Sequence, residues 1–130
     1  MSINIQLTND GHNLIRDSAH GIDVFKITYF GLGSGNGAVN LADHTLNHEQ
    51  YRRAITSFVN GSSVGEIIVS VYVPGGDAVG LNVQEFGLFG GNAATSSVNS
   101  GVMIGRCLWV PSVNPKTALV SFQLSLDLIC

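Results

Sequence analysis

The sequence predicts a mainly β domain, an antiparallel β-sandwich or open barrel of about six to seven strands with one short N-terminal helix, with residues 1–130 forming a single unit. Three observations point there. From residue 22 onward apolar residues alternate with period two, in segments rich in Val, Ile, Tyr and Phe that suit a pleated, half-buried surface. Turns rich in Gly, Ser, Asn and Pro separate those segments, and no long helical pattern stands between them. A chain of 130 residues that is 45% hydrophobic is long enough for one core and too short for two.

The elements follow in order. After the apolar opening "INIQL", the segment "TNDGHNLIRDSAHG" offers Thr8, Asn9 and Asp10 as N-caps, Leu14, Ile15 and Ala19 on one face, and Gly21 as the C-terminal stop. These place a helix at about residues 10–19. "DVFKITYFGL" (23–32) reads as a strand, and "AITSFV" (54–59) and "GEIIVSVYVP" (65–74) form a hairpin across "NGSSV". Further strands are expected at about 80–89, 101–110 and 117–128.

Charged residues are 12% of the chain, against roughly a quarter in an average soluble domain. So little charge would leave a free monomer prone to association, which favours permanent assembly. The net charge is −3 and the six basic residues are scattered, so no stripe exists to neutralise phosphates and no nucleic-acid partner is expected. The apolar runs fall short of the ~20 residues that span a bilayer, so no membrane partner is expected and the chain should be made soluble in a cytoplasm. Of the two cysteines, Cys107 reads as a small buried apolar residue. Cys130, at the chain end, is a candidate for an intermolecular disulfide in an oxidising medium.

Candidate chemistry is sparse. "FGLGSGNGAVN" (30–40) alternates four glycines after a strand, yet it lacks the Lys-Ser/Thr of a phosphate loop and the G-x-G-x-x-G spacing of a dinucleotide fingerprint. It reads instead as a long surface loop in which Gly33, Gly35 and Gly37 take positive φ, and Gly33, Ser34, Gly35, Asn36 and Gly37 are expected to contact a neighbouring subunit. His44 and His48 at i, i+4, with Glu49 beside them, would make a metal site only on a helix with converging ligands, and hydrogen-bonded loop histidines are the expected state. Asp17, Ser18 and His20 have triad chemistry but point apart on one helix. Glu85, in phase with Leu81 and Val83, is expected to face inward, with Phe86 and Leu88 on the opposite face. A carboxylate buried there needs a partner; Arg52, Arg53 and Arg106 are available, and a structural ion pair of Glu85 with Arg52 or Arg53 is preferred.

Four pieces in order, "LTNDGHNLIRDSAHG" (7–21), "ITYFGLGSGNG" (27–37), "LNHEQYRRAITSF" (46–58) and "VQEFGLFGG" (83–91) followed by "MIGRCLWVPSVNPKTALVSFQLSLDL", resemble the N-terminal domain of tail-collar fibre proteins of contractile-tailed phages. The resemblance covers about residues 7–128, with "QEFGLFG" its strongest motif and a Lys in a Pro-containing loop, Lys116, preceding the last strand. It departs at Ser34, where the family often carries an acidic residue. It implies a virion structural protein of the phage tail, made in the host cytoplasm, connecting tail fibres to the baseplate or forming part of the collar, without catalysis or cofactor. Its implied partners are other tail or baseplate proteins, a tail fibre, and itself, as a homo-oligomer with a trimer preferred. No shaft repeat or receptor-binding tip follows within these residues, so an adaptor is expected rather than a fibre. The alternative is a carbohydrate- or receptor-binding β module, for which Tyr29, Tyr51, Tyr72 and Trp109 are the available aromatic platforms.

Overall fold

The computed structural model describes residues 2–129. In chain order the elements are β1 (Ser2–Asn4), β2 (Gln6–Leu7), α1 (Asn9–Ala19), β3 (Ile27–Gly33), β4 (Glu49–Ala54), β5 (Ser57–Asn60), β6 (Glu66–Val73), β7 (Glu85–Gly90), β8 (Val102–Leu108) and β9 (Phe122–Ile129). They form two sheets, of order β1-β9-β6-β5 and β2-β8-β7-β3-β4, packed as a β-sandwich rather than an open barrel. Every neighbouring pair is antiparallel except β1, which runs parallel to β9. Among the described residues no helix is long and apolar enough to cross a membrane. Cys130 lies outside the described residues.

The inner faces follow from period two. Val69, Val71 and Val73 on β6 and Phe122, Leu124, Leu126 and Leu128 on β9 meet Phe30 and Leu32 on β3 and Phe86 and Leu88 on β7. Each such side chain contributes roughly 1.5–3 kcal/mol by leaving water. Phe30 and Phe86 stack with centroids 5.5 Å apart, and Trp109 meets the Phe122 ring edge-on at 5.3 Å. Cys107 joins this core, as expected of a free buried thiol.

Among the described residues nine strands replace the expected six to seven, for local reasons. "INIQL" divides at Ile5, whose N–H donates to the Asp127 carbonyl, so the chain edges one sheet with β1 and the other with β2. Strands of two or three residues have too little period to be read. "AITSFV" supplies most of β5 and only the last residue of β4, Ala54, the rest of β4 (49–53) lying where no strand is expected: the Ile55 N–H donates to Thr28 in one sheet and the Thr56 N–H to Ser70 in the other. The chain changes sheets between those two residues, and β4 and β5 lie on either side of the step. The β5–β6 hairpin pairs Ser57 with Ser70 and Asn60 with Ile67, as expected.

Helix α1 forms where the caps predict. The buried Thr8 hydroxyl oxygen accepts from the Gly11 N–H at 3.0 Å and donates to the Met103 carbonyl, and Gly21 takes φ +74° after the last turn. One side chain thus caps the helix and ties it to β8. Thr8→Ala is expected to cost about 0.5–2 kcal/mol from the cap, with the orphaned hydrogen-bond partners adding to it. A fall in the urea midpoint without a change in slope is the result that checks this.

Candidate functional site

The outer face of the five-stranded sheet carries charge where a sandwich surface would ordinarily meet water. Strand registers set two adjacent rows across it. In one, Gly33 lies between Glu85 of β7 and Glu49 of β4. In the next, Gly31 and Gly87 lie between Arg52 of β4 and Arg106 of β8. All four charged side chains are buried.

Glu85 pairs with Arg106, not with Arg52 or Arg53: Nε of Arg106 stands 3.1 Å from Oε1. The diagonal between Glu85 and the residue opposite Gly87 brings Arg106 into reach, whereas Arg52 stands two strands away behind β3. Arg52 instead makes a bidentate pair with Glu49, 2.7 and 3.0 Å, while its remaining nitrogen donates to the Ser100 carbonyl and hydroxyl. Its guanidinium lies 3.9 Å over the Phe89 ring, and the Asn99 N–H donates to Glu49. Arg53 is on the exposed side, 3.3 Å from Asp77, which also accepts from the Tyr51 hydroxyl. Burial, with the Asp77 bond second, pushes the Tyr51 phenol up to about 12.

Glu85 does not point into the sandwich interior. Phe86 and Leu88 do, and Glu85 takes the opposite face, where the loop 34–48 buries it. Gly35, Asn47 and His48 N–H groups donate to its two oxygens at 2.9, 2.8 and 2.7 Å. Arg106 in turn donates to the carbonyl of Gly37 and to Asn47 Oδ1, both at 3.0 Å. A buried carboxylate with three amide donors and a guanidinium has its desolvation offset by charge-assisted bonds. The loop is folded around the ion pair, and the ion pair shapes the loop.

This explains the alternating glycines differently from the sequence reading. Gly33, Gly35 and Gly37 are not at positive φ; among the described residues those glycines are Gly21, Gly65, Gly80, Gly91 and Gly101. Close approach is the reason. A Cβ on Gly33 would meet the His48 carbonyl and lie 2.5 Å from Glu85 Oε2, and one on Gly35 would strike Asn47 and the same oxygen. A Cβ on Gly37 would lie 2.5 Å from Asn47 Oδ1. Gly33 is buried, Ser34 and Gly35 are half-buried, and only Asn36 and Gly37 are exposed, so of the expected contact loop the tip alone is presented outward.

The other candidate groups are held apart. His44 bonds Asp10, His48 bonds Ser34 through Nδ1 at 2.8 Å, and Glu49 is committed to Arg52. Residues 44–48 are not helical, so the i, i+4 spacing does not align the two rings, and no group of three or more metal-type side chains converges among the described residues. Asp17 pairs with Arg16. Sequence reasoning also missed Lys116 as a buried cation: its ammonium donates to the carbonyls of Pro74 and Gly75 at 2.9 and 2.8 Å and lies 5.6 Å from the Phe122 ring. Its place before the last strand was the available signal.

Burial pushes the Cys107 thiol up to about 11, with Arg106 pulling weakly the other way. The thiolate is the reactive form, so Cys107 is expected to resist maleimide at pH 8 in the native protein and to react once denaturant unfolds it. Rapid native labelling at Cys107, mapped by peptide mass spectrometry, is the opposite outcome.

Fold and site together define a β-sandwich that buries Glu49, Arg52, Glu85, Arg106 and Lys116, with two buried ion pairs clamped under loops. Comparison of the chain with protein-family models, curated sequences and solved structures gives no significant match.

Proposed function

We propose that this chain is a structural protein of a phage tail, connecting tail fibres to the baseplate or forming part of the collar, and that it works as a homo-oligomer with a trimer preferred. The ordered motifs that resemble tail-collar fibre domains support this reading. So does the surface, in the observation that carries it: large apolar side chains stand exposed on the loops after β6 and β8. The loop after β8 presents Val110 at 62% exposure, Leu119 at 96% and no exposed charge, since Lys116 is inside, and the loop after β6 adds Val79. Exposed apolar side chains that form a contiguous patch mark surfaces that other chains cover. Meanwhile Glu49, Arg52, Glu85 and Arg106 are bound to one another and to main chain.

The carbohydrate-binding alternative draws less support. Trp109 packs against Phe122 and the Tyr51 hydroxyl is bound to Asp77, which leaves Tyr72 as the exposed ring among the four aromatics. Mass spectrometry of purified particles from an induced lysogen or infected culture tests the proposal. The chain is expected among the tail proteins in stoichiometric amount, and its absence from intact particles would overturn the reading.

A further inference from the structure

The loop 34–48 has two arms with different fastenings. The inner arm, Gly35 with Asn47 and His48, is held by the buried Glu85 carboxylate. The outer arm, residues 38–45, is exposed apart from a half-buried Asp43, and Leu46 at its base is the buried apolar anchor. A turn stiffens this arm: Asp43 N–H donates to the Asn40 carbonyl and Ala42 N–H to the Asn40 side chain.

Two contacts fasten that turn to the start of α1. The Leu41 carbonyl accepts from the Asn9 N–H at 2.7 Å, satisfying one of the helix's free N-terminal donors. Beside it, His44 Nδ1 bonds Oδ2 of Asp10 at 2.5 Å in the first turn of the helix. The surrounding charged and titratable groups are Asp10 and His12 on α1, Asp43 in the loop, and Arg106 on β8, whose Nη1 is 3.6 Å from Asp43.

We propose that residues 38–45 form a pH-dependent strap, closed over Arg106 and clasped to α1 while His44 is protonated and released from the helix when His44 loses its proton. The Asp10 hydrogen bond, and then the Asp10 and Asp43 charges, raise His44 above its ordinary 6.5. A histidine whose folded pKa is raised contributes fully below its unfolded value, and the contribution fades as pH rises through the folded one. The clasp is therefore complete at pH 6 and weakens above 6.5. Release uncovers the Asn9 donor and the outer side of Arg106, while Glu85 keeps the inner arm in place.

Amide hydrogen exchange followed residue by residue by NMR, corrected for intrinsic rates, tests this on the full chain between pH 6 and 8.5. The protection of the Asn9 amide is expected to fall about two- to fivefold through the His44 titration, the size that an exposed ion pair supports. Gly35 and His48 amides should hold their protection across the same range. In His44→Ala, at an exposed position, and Asp10→Asn, at a half-buried one, Asn9 should be weakly protected at every pH. Constant Asn9 protection in the parent protein would overturn the strap, and so would an unchanged pH dependence in either variant.

Discussion

Glu85→Ala is expected to destabilise the protein by about 3–5 kcal/mol, the cost of leaving a buried charge without its partner. For a chain of this size that corresponds to a melting temperature lower by roughly 10–20 °C. The cost has two sources. Arg106 keeps its place under the loop with only the half-buried Asp43 carboxylate, 3.6 Å away, in place of its direct partner, and the N–H groups of Gly35, Asn47 and His48 lose their acceptor together. Glu85→Gln, which keeps an acceptor but no charge, should lose less. Glu85→Ala combined with Arg106→Ala should cost less than the sum of the two, by about 0.5–3 kcal/mol, because removing both leaves no stranded charge. Arg53→Ala, by contrast, touches only the exposed pair with Asp77 and should stay within about 1 kcal/mol. Urea melts of the five proteins check the set, and an Arg53→Ala loss as large as that of Glu85→Ala would contradict it.

The second large effect is expected at the glycines. Gly33→Ala and Gly35→Ala should each cost about 1–3 kcal/mol or more, the range for forcing a methyl into filled space. Elsewhere an alanine for a glycine of ordinary φ is neutral or stabilising, because it restricts the unfolded chain. Gly76, with open space around its Cβ position and no positive φ, supplies that control, and Gly76→Ala should change stability by less than about 0.5 kcal/mol. Since the Gly35 methyl would press on the Glu85 carboxylate, its penalty should shrink in a Glu85→Ala background. If instead the two penalties add in full, the glycines are not there for the carboxylate.

The sandwich was legible because its core strands alternate cleanly: β6 and β9 send every second residue inward, and the Thr8 and Gly21 signals bracket α1. The buried ionic layer was only half legible. Glu85 stood out as a carboxylate in an apolar strand, but its partner depended on which strands are neighbours, and β7 pairs with β8 rather than with β4. The Glu49–Arg52 pair was hidden for a sharper reason. Residues three apart on a regular strand point to opposite faces, yet the register slips between Leu32 and Gly33, so that Tyr51 and Glu49 face successive residues of β3. That irregularity turns Glu49 and Arg52 to the same face, and no residue type in "HEQYRR" announces it. The glycine run gave the wrong cause, and at Gly33, which is buried in β3, the wrong place, because spacing reveals a need for small residues without saying whether dihedral angle or crowding creates it.

We propose that other chains cover exposed apolar residues such as Val110, Leu119 and Val79. Sedimentation velocity of the purified protein at micromolar concentration tests this most directly. One discrete species at a small whole multiple of the 13.7 kDa chain, three being preferred, is the predicted result. A single monomeric species across the accessible concentration range would contradict it.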